Sequence, residues 1–524
     1  MYIFVVLLLI IKIGQRDTMN RKMLSASLLI LVLLVVNACD SNHYLPNNYL
    51  VVAQKSTETD AGWQRVVKAL QEKHDAEVVY FEDSPREAIP EIRRINPRYV
   101  AFVDVPEHIG RDYIIDLHKM SRTIDDDIYA DYLFGVITGY DSDAALRMVH
   151  ESTTPLVVKK AVVDIMEMNS GKWFDEFGFI DDHTPGLWGE KSGFDQPVAT
   201  DTIAPELYLA KFYDLYKKYD PDLVVTAAHA SEDRLEMPFS FASITCKDGV
   251  LYTDYQYQSF RTKARDYHYF DGSHEAQPLP ESGKRKVYFA VGNCLIGNVN
   301  NTKESMAIAW MNGSNAANMI GYVVSTWHGR NGWGGLKYWV TNPGRYNLAE
   351  AVYMNQQDFV HQQNEWAPGI MEIEYPFDER GAFRTVTNKL IEAGVDSAAI
   401  TTDHIGFIFD RDVLAFYGDP QWDVRLQQLP EETDYTVTSK IKGGKYIVTI
   451  QTQADFSLER MVGDKFKQEH VLDLPFSYFF PKRVRNPRLA EGQAWDAAVD
   501  ENFLLIYNPD FKPGQTYEII LDID

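Results

Sequence analysis

The run Tyr49-Leu50-Val51-Val52-Ala53 opens the stretch of this chain that decides its fold. A helical pattern near Trp63 to Lys73 follows it, and then a second β-rich run, Glu77-Val78-Val79-Tyr80-Phe81. The alternation continues through a helical stretch, Arg86 to Ile95, into Tyr99-Val100-Ala101-Phe102-Val103. Short strands that alternate with helices at this spacing are typical of βαβ units. The sequence therefore predicts an α/β fold built on a parallel sheet.

A second alternating series predicts another α/β region further along the chain. It follows the stretch from Ser170 to Gly193, which has the Gly- and Asp-rich composition of a loop. A long insertion, Ser231 to Lys284, interrupts the series. Its Tyr-rich part, Leu251 to Phe270, is a candidate for a hairpin. The predicted pieces of the series are helix Pro205 to Tyr219, strand Asp222 to Ala228, strand Lys286 to Gly292, helix Lys303 to Met311 and strand Met319 to Ser325.

The C-terminal part of the chain changes to runs of period two, such as Tyr435 to Lys440, Lys445 to Thr452 and Tyr517 to Leu521. Turns at Gly443-Gly444 and Pro513-Gly514 separate such runs, a pattern that predicts a small β-sandwich. The fold class is therefore α/β, with two α/β subdomains and a C-terminal sandwich. The predicted boundaries are a signal region over 1–38, a tether over 39–48, an N-terminal α/β subdomain over 49–152, a second α/β subdomain over 153–430 and the sandwich over 431–524.

Composition and charge narrow the classes of function. Of 524 residues, 45% are apolar, which is enough for several hydrophobic cores. The 51 Lys and Arg residues against 75 Asp and Glu residues give a net charge of −24, and no basic stripe is present. Such a chain repels phosphate backbones, so nucleic-acid binding is disfavoured. Three cysteines are too few for a scaffold held by disulfides.

The N-terminus carries two apolar runs, Tyr2 to Ile13 and Leu24 to Val36, each shorter than the about 20 residues that span a bilayer. The second run follows Met19-Asn20-Arg21-Lys22 and leads into Asn37-Ala38-Cys39, so it has the regions of a secretory signal. It resembles a bacterial lipoprotein signal. By that resemblance the chain is cut before Cys39 and acylated on its thiol, with Met19 as an alternative start. A cleaved signal with a coincidental cysteine is the other interpretation.

Two predicted strands of the second region lead directly into reactive side chains. Leu223 to Ala228 runs into His229, and Val287 to Asn293 runs into Cys294. Residues just past the carboxyl ends of parallel strands line the ligand crevice, so neighbouring strands would place His229 beside Cys294. A nearby imidazole activates a thiol nucleophile and later protonates a leaving amine. The turn that begins at Cys294 also supplies backbone amides that could stabilise an oxyanion.

The same residues have structural interpretations. A lone cysteine is commonly a small core residue, and a histidine after a strand is often a hydrogen-bonded loop residue. A disulfide between Cys246 and Cys294 is a further interpretation. Sequence spacing does not decide among them.

The order of several motifs resembles one known family. A strand leading into His229 and a later strand leading into Cys294-Leu295-Ile296-Gly297 are followed by Ser325-Thr326-Trp327 and by Phe416-Tyr417-Gly418-Asp419-Pro420. Upstream lie an acidic segment, Asp126 to Tyr132, and the strand-like Gly135-Val136-Ile137-Thr138-Gly139. Together they resemble the gingipain-type cysteine peptidases of the caspase-like clan, clan CD. The resemblance spans Tyr49 to Leu426 and implies two caspase- or gingipain-like subdomains, followed by an immunoglobulin-like domain.

The resemblance implies roles for five residues. Cys294 would be the nucleophile and His229 the general base and acid. Backbone N–H groups of Cys294 and Ala230 would form the oxyanion hole. The family has glycine where this chain has Ala230, and its insertion is shorter; these departures put substrate preference and activity in question. Trp327 and Trp333 resemble the aromatic wall of the specificity pocket, and His328 in the same loop is a competing base.

Metal ligands and a third catalytic residue are less defined by the sequence. Calcium, which relatives bind, prefers clustered oxygen ligands, and a solvated acidic loop is the alternative interpretation. No cofactor is required, and no spacing of His and Cys supports zinc. The candidate calcium ligands are Asp125, Asp126, Asp127 and Asp131. The candidates for orienting His229 are Asp181, Asp182 and Glu176.

These inferences predict an exported, lipid-anchored cysteine endopeptidase of the bacterial cell envelope, on the outer-membrane or periplasmic face. Its partners would be protein or peptide substrates and the membrane. The rival interpretation is a catalytically inactive peptidase fold that serves as a surface lipoprotein in binding or assembly, which Ala230 and the long insertion favour. A glycan-binding envelope protein is a third interpretation with no motif behind it.

Overall fold

The computed structural model describes residues 43–255, 275–326, 329–367, 369–373, 379–429, 434–464, 466 and 473–524. The predicted signal region with Cys39 lies outside these ranges, as do Trp327 and His328. Within them, every helix is too short or too polar to cross a membrane.

The described chain contains strands and helices in alternation over most of its length. The strands are β1 (Tyr49–Gln54), β2 (Glu77–Phe81), β3 (Tyr99–Val103), β4 (Leu133–Ile137), β5 (Leu156–Val158), β6 (Lys160–Val163), β7 (Glu176–Ile180), β8 (Leu187–Ser192), β9 (Ala199–Thr202), β10 (Leu223–Thr226), β11 (Ala230–Ser231), β12 (Arg234–Glu236), β13 (Ser243–Lys247), β14 (Val250–Asp254), β15 (Lys286–Ala290), β16 (Ala316–Tyr322), β17 (Leu414–Gly418), β18 (Val424–Leu426), β19 (Tyr435–Lys442), β20 (Lys445–Thr452), β21 (Phe476–Phe479), β22 (Arg488–Leu489), β23 (Ala497–Asp500), β24 (Phe503–Ile506) and β25 (Thr516–Asp522). The helices are α1 (Ser56–Thr59), α2 (Ala61–His74), α3 (Ile89–Ile95), α4 (Arg111–Met120), α5 (Ser142–Glu151), α6 (Tyr208–Tyr219), α7 (Met306–Asn312), α8 (Arg330–Thr341), α9 (Leu348–Trp366), α10 (Glu379–Glu392), α11 (Thr402–Asp410) and α12 (Leu458–Met461).

The first half of the central sheet is the parallel set β2-β1-β3-β4. The side chains of β1 from Leu50 to Ala53 are all buried, as the apolar runs of parallel strands covered by helices on both faces require. Helix α2 begins after Asp60, whose carboxylate accepts the N–H groups of Gly62 and Trp63. The predicted βαβ units are confirmed here.

The second half of the sheet contains the parallel set β7-β6-β10-β15-β16, which β8 and β9 extend in antiparallel fashion. Strand β17 joins the two halves, because it pairs antiparallel with β16 and pairs with β4 through Tyr417 and Val136. The two predicted α/β regions therefore share one sheet of 12 strands.

Several local expectations are wrong. The stretch from Ser170 to Gly193, expected to be a loop, contains β7 and β8; Gly178 and Gly189 interrupt their apolar patterns. Strand β16 ends at Tyr322, earlier than expected, and α7 begins at Met306, later than expected. Helices α8 to α11, between β16 and β17, have no counterpart among the sequence expectations.

The insertion after His229 folds into a small antiparallel sheet of its own, in the order β11-β12-β13-β14. Leu235 and Ile244 are fully buried in it, and β13 and β14 contact α7. Of the predicted hairpin over Leu251 to Phe270, only the part up to Tyr255 is described, and it belongs to β14 and the following turn.

The C-terminal region forms two antiparallel sheets, β19-β20-β25-β22 and β21-β24-β23. Buried side chains of both sheets share one core, among them Tyr446, Val448, Phe476 and Leu504. Burial alternates along β20, as expected for a strand with one face on a core. The predicted β-sandwich is confirmed.

Buried polar side chains fasten the sandwich to the first half of the central sheet. The guanidinium of Arg483, which is fully buried, donates to the Asn96 carbonyl at 2.6 Å and pairs with Glu501. Asn502 Nδ2 donates to the Asp131 carbonyl at 3.2 Å. Directional bonds of this kind fix the position of the sandwich as well as its attachment.

Acidic side chains gather at the same junction. Asp131 is only 6% exposed, and burial raises its pKa to about 8, with help from the charges of Asp125, Asp127 and Glu501. In an unfolded chain this carboxyl titrates near about 3.9. The folded state keeps this proton to higher pH than the unfolded state does. The contribution of Asp131 to the free energy of unfolding is therefore most favourable below about pH 3.9 and is lost as the pH rises through about 8.

We expect Asp131→Asn to remove this pH dependence. Asparagine can still accept the Ile124 N–H, which Asp131 Oδ2 accepts at 2.8 Å, but it has no proton to lose. Between about pH 3.9 and the folded pKa, the gain in free energy of unfolding over the wild type should grow by up to about 1.4 kcal/mol per pH unit, and then level off. Urea unfolding at several pH values in the presence of EDTA measures it. Asp126→Asn, at an exposed neighbour, is the matched control; a gain that does not vary with pH would contradict the assignment.

Candidate active site

Strands β10 and β15 are direct neighbours and run parallel, with Thr226 paired to Ala290 near their carboxyl ends. The Val291 N–H donates to the Thr226 carbonyl at 2.9 Å, so the two ends lie level. His229 and Cys294 follow these ends within a few residues. The sequence analysis expected His229 and Cys294 at one edge if the two strands were neighbours, and the strands are neighbours.

The order of strands in the sheet reverses beside β10. Strand β6 is followed by β7 on one side, whereas β10, later in the chain, pairs with β6 on the other side. In open α/β sheets such a reversal opens a crevice outside the carboxyl ends of the strands, and ligands bind there. The chain thus places His229 at the edge where its topology favours a ligand site.

Asp164, directly after β6, is a residue of this edge that the sequence analysis missed. It is fully buried, and its Oδ1 accepts the Ala227 N–H at 2.8 Å. Its Oδ2 is buried without a hydrogen-bond partner among the described residues. Burial, and then the charge of Asp182, raises the pKa of Asp164 well above its ordinary value. The only signal in the sequence is the apolar run ahead of it, which is too short to stand out as a strand.

Asn293 joins the two segments that carry the candidate residues. Its Oδ1 accepts the Thr226 hydroxyl at 2.9 Å, and its Nδ2 donates to the Ala228 carbonyl at 2.5 Å. Asn293 is fully buried and immediately precedes Cys294, while Ala228 immediately precedes His229. One amide side chain therefore fixes the spacing of the two backbone segments.

Cys294 and Cys246 are both half-buried, and no disulfide joins them. The disulfide interpretation therefore does not describe this structure. Cys294 Sγ lies 4.0 Å from the Thr326 carbonyl oxygen, at the end of the segment that follows β16.

A tight turn follows Cys294 and runs back along β16. Leu295 has a φ of 60°, a left-handed conformation that is costly for a residue with a side chain. The N–H groups of Leu295 and Gly297 donate to the carbonyls of Val324 and Tyr322, both at 2.9 Å. A Cβ at Gly297 would lie 2.2 Å from the Gly321 carbonyl oxygen, so this position requires glycine. The Cys-x-x-Gly pattern thus has a steric reason.

His229 is exposed and begins the hairpin of β11 and β12. Its carbonyl accepts the Glu236 N–H at 2.8 Å, and Ala230 pairs with Leu235. In an antiparallel ladder, the residue next to a hydrogen-bonded position points its N–H away from the partner strand. The Ala230 N–H therefore points away from β12. Because β11 is extended, alanine occupies this position without the penalty of a left-handed conformation.

Trp333, in α8, packs against Gly292, just past the carboxyl end of β15. It is 4% exposed, and its Nε1 lies 3.1 Å from the position that a Cβ on Gly292 would take. Its ring packs against Phe466 of the C-terminal region, at 6.4 Å between centroids. Its role in substrate binding stays a prediction, and Trp327 and His328 lie outside the described residues.

The three acidic candidates for orienting His229 occupy different places. Glu176 lies at the amino end of β7 and pairs with Lys160 at 2.7 Å, which disfavours it because the crevice is at the other edge. Asp181 accepts the His183 N–H at 2.8 Å and holds its own loop. Asp182 interacts with Asp164, and burial raises its pKa to about 6. The orienting role of these three residues stays a prediction, and Asp164 is a further candidate from the structure.

The structure brings two of the predicted calcium ligands together with a residue of the sandwich. Carboxylate oxygens of Asp125, Asp127 and Asp500 lie within 4.8 Å of one another. Asp126 is exposed and not part of this group, and Asp131 is buried beside it. Three clustered carboxylates fit a hard cation such as calcium, and its binding stays a prediction.

Comparison with known proteins adds structural neighbours. No family model matches this chain, and a search of the curated proteins finds no match. The chain is similar to the crystal structure of gingipain R, an Arg-specific cysteine proteinase, with a TM-score of 0.40 and 11% identity over 92% of this chain and 94% of that chain. It is also similar to the complex of the pro- and mature domains of RgpB from Porphyromonas gingivalis, with a TM-score of 0.38 and 11% identity over 91% of this chain and 93% of that chain.

We expect Asn293→Ala to disturb the turn at Cys294. The substitution removes the bonds to the Thr226 hydroxyl, which keeps the Tyr288 hydroxyl as a partner at 2.9 Å, and to the Ala228 carbonyl. An unsatisfied buried group costs about 1–3 kcal/mol, so the free energy of unfolding should fall by about that amount. The rate at which iodoacetamide alkylates Cys294 should change several-fold. Asn342→Ala, at a buried asparagine bonded to the Tyr338 carbonyl, is the control and should leave that rate unchanged. An unchanged rate in Asn293→Ala would show that Asn293 does not hold the turn.

Proposed function

We propose that this chain is a cysteine endopeptidase of the bacterial cell envelope, held at the membrane by a lipid on Cys39. The level pairing of β10 and β15 is the observation that carries the enzymatic part, because it brings His229 and Cys294 to one edge, beside the reversal of strand order. The lipoprotein-like signal ahead of Cys39 supports the anchor.

In the proposed reaction the Cys294 thiolate attacks the carbonyl carbon of a peptide bond. His229 takes the thiol proton and gives it to the leaving amine, so the C–N bond breaks and a thioester forms. Water then attacks the thioester with His229 as the base, which releases the carboxylic acid and restores the thiol. The N–H groups of Cys294 and Ala230 stabilise the oxyanion of each tetrahedral intermediate.

Asp164 serves as a positioning residue in this proposal. Its bond to the Ala227 N–H holds the backbone two residues before His229, and Asn293 holds the same loop through Ala228. The two bonds restrain the loop from opposite neighbours, β6 and the segment after β15. A restrained imidazole loses less entropy on reaching the reactive geometry, which raises the rate of the chemical step.

We expect the protein to cleave members of a diverse peptide library, and Cys294→Ala and His229→Ala to abolish cleavage, with losses of about 10²-fold or more. Mass spectrometry of the products measures both. Cys246→Ala is the matched control: burial, and then the charges of Asp233 and Glu304, raises the pKa of Cys246 to about 12, so its thiol is not a nucleophile at neutral pH. No cleavage by the wild type, together with slow alkylation of Cys294, would instead support an inactive peptidase fold used in binding or assembly.

The anchor is tested separately. In a bacterial host, the full chain should incorporate an alkyne-labelled fatty acid and sediment with the membranes, and Cys39→Ser should lose the label and leave the membrane fraction. Cys246→Ser, at another cysteine of the chain, should keep both properties. Equal labelling of the Cys39→Ser variant and the wild type would overturn the assignment of Cys39.

A further inference from the structure

A cavity of about 460 Å³ lies where the sandwich meets the central part of the molecule. Its walls come from the start of β3, the start of α9, β18 and the sandwich strands β19 and β21. Small-molecule sites commonly have volumes of about 300–1,000 Å³ and lie between structural units. The cavity is thus large enough for a small ligand and lies apart from the strand ends that carry Cys294.

Arginine side chains give this cavity a positive wall. Arg98 is only 2% exposed, and its Nη2 donates to the Phe480 carbonyl at 2.6 Å. Its guanidinium lies 4.3 Å from the centre of the Phe479 ring. Its Nε is buried without a hydrogen-bond partner in the described part of the chain. The positive charge of Arg98 is therefore held in place by neutral groups.

Arg345 is only partly buried, and it has more donors without a contact among the described residues. Its guanidinium lies 3.7 Å from the centre of the Tyr435 ring, and Nη2 donates to the Tyr435 carbonyl at 2.9 Å. A guanidinium has five N–H donors, and the contacts of the described residues use one of those in Arg345. Stacking on the ring fixes the plane of the guanidinium and leaves its other N–H groups for a further acceptor.

The carboxylates near the cavity pair with a third arginine, and the charge of one of them, Glu350, also acts on Arg98. Arg425 pairs with Asp423 through Nε and lies 3.7 Å from Glu350 through Nη2. Glu350 also accepts the Asn347 N–H at 2.9 Å, as part of a helix cap. Among the described residues, neither Arg98 nor Arg345 has a carboxylate within 4.0 Å, although the chain as a whole carries a net charge of −24.

We propose that this cavity binds a small anionic ligand, a phosphate or carboxylate carried on an aromatic or apolar body. Three arginines, Arg98, Arg345 and Arg425, line the cavity against one carboxylate, that of Glu350. Arg98 is buried and arginine does not lose its proton, so an anion from outside the chain offsets the excess of positive charge. The free N–H groups of Arg345 supply the direct bonds, and Arg98 adds its charge. Tyr99, Tyr346 and Phe479 supply the walls for the body of the ligand. Because the walls belong to both units, binding also strengthens the attachment of the sandwich.

The test is calorimetric titration of the protein with phenyl phosphate and with benzoate, which separate the two oxyanions, and with benzyl alcohol as the neutral analogue. At least one anion should bind, and the neutral analogue should not. Arg345→Gln should weaken binding by about tenfold or more, and Arg345→Lys by less. Arg488→Gln, at an exposed arginine of the sandwich whose side chain is 71% accessible, is the charge-matched control and should leave the affinity unchanged.

Hydrogen exchange locates the site. Amide exchange should slow on ligand addition in peptides that contain Tyr346 and Tyr478, which lie on opposite walls of the cavity. No heat and no protection with either anion at millimolar concentration would overturn the proposal. Equal weakening by Arg345→Gln and Arg488→Gln would overturn it as well, since binding would then reflect general surface charge.

Discussion

The two halves of the central sheet meet at a pair of glycines. A Cβ at Gly135 of β4 would lie 2.1 Å from the Gly418 carbonyl oxygen, and a Cβ at Gly418 would lie 2.1 Å from Asn318 Nδ2. Gly418 also has a φ of 115°, which residues with side chains rarely adopt. A Cβ at either position would force neighbouring atoms of β16 or β17 to shift, which would disturb the pairing that joins the two halves. The fold of the whole chain thus depends on an approach that only glycine permits.

A buried carboxylate secures this junction directly after Gly418. Asp419 is fully buried, accepts the Tyr49 hydroxyl at 3.0 Å and pairs with His74 and Lys73, both at 2.7 Å. Burial alone would raise the pKa of Asp419, but the hydrogen bond from His74 and the charge of Lys73 outweigh burial and hold the pKa well below its ordinary value. The carboxylate therefore stays charged and ties α2 and β1 to the end of β17. Loss of one partner would leave a buried charge poorly compensated, which is far more costly than loss of a surface pair.

The sequence predicts those features that depend on local pattern, and it misses those that depend on distant contacts. The βαβ units of the first half and the period-two strands of the sandwich follow from hydrophobic periodicity, as does the position of His229 and Cys294 just past two strands. Asp164 cannot be recognised from local pattern, because it bonds to the Ala227 N–H, in a segment distant along the chain. Likewise β17 is short, and nothing local shows that it closes the sheet between β16 and β4.

The junction of the halves and the turn at Cys294 are also mechanically connected. Tyr417, the residue of β17 that pairs with Val136 of β4, donates its hydroxyl to the Gly297 carbonyl at 2.7 Å. The same turn contains the left-handed Leu295, a conformation that persists only where its surroundings over-determine it. Bonds from β16 hold the turn on one side and the Tyr417 hydroxyl holds it from β17, so its strain is supported by the strands that join the sheet. A substitution that loosens the glycine contact would therefore reach Cys294 without touching it, because it would move the strand that carries Tyr417.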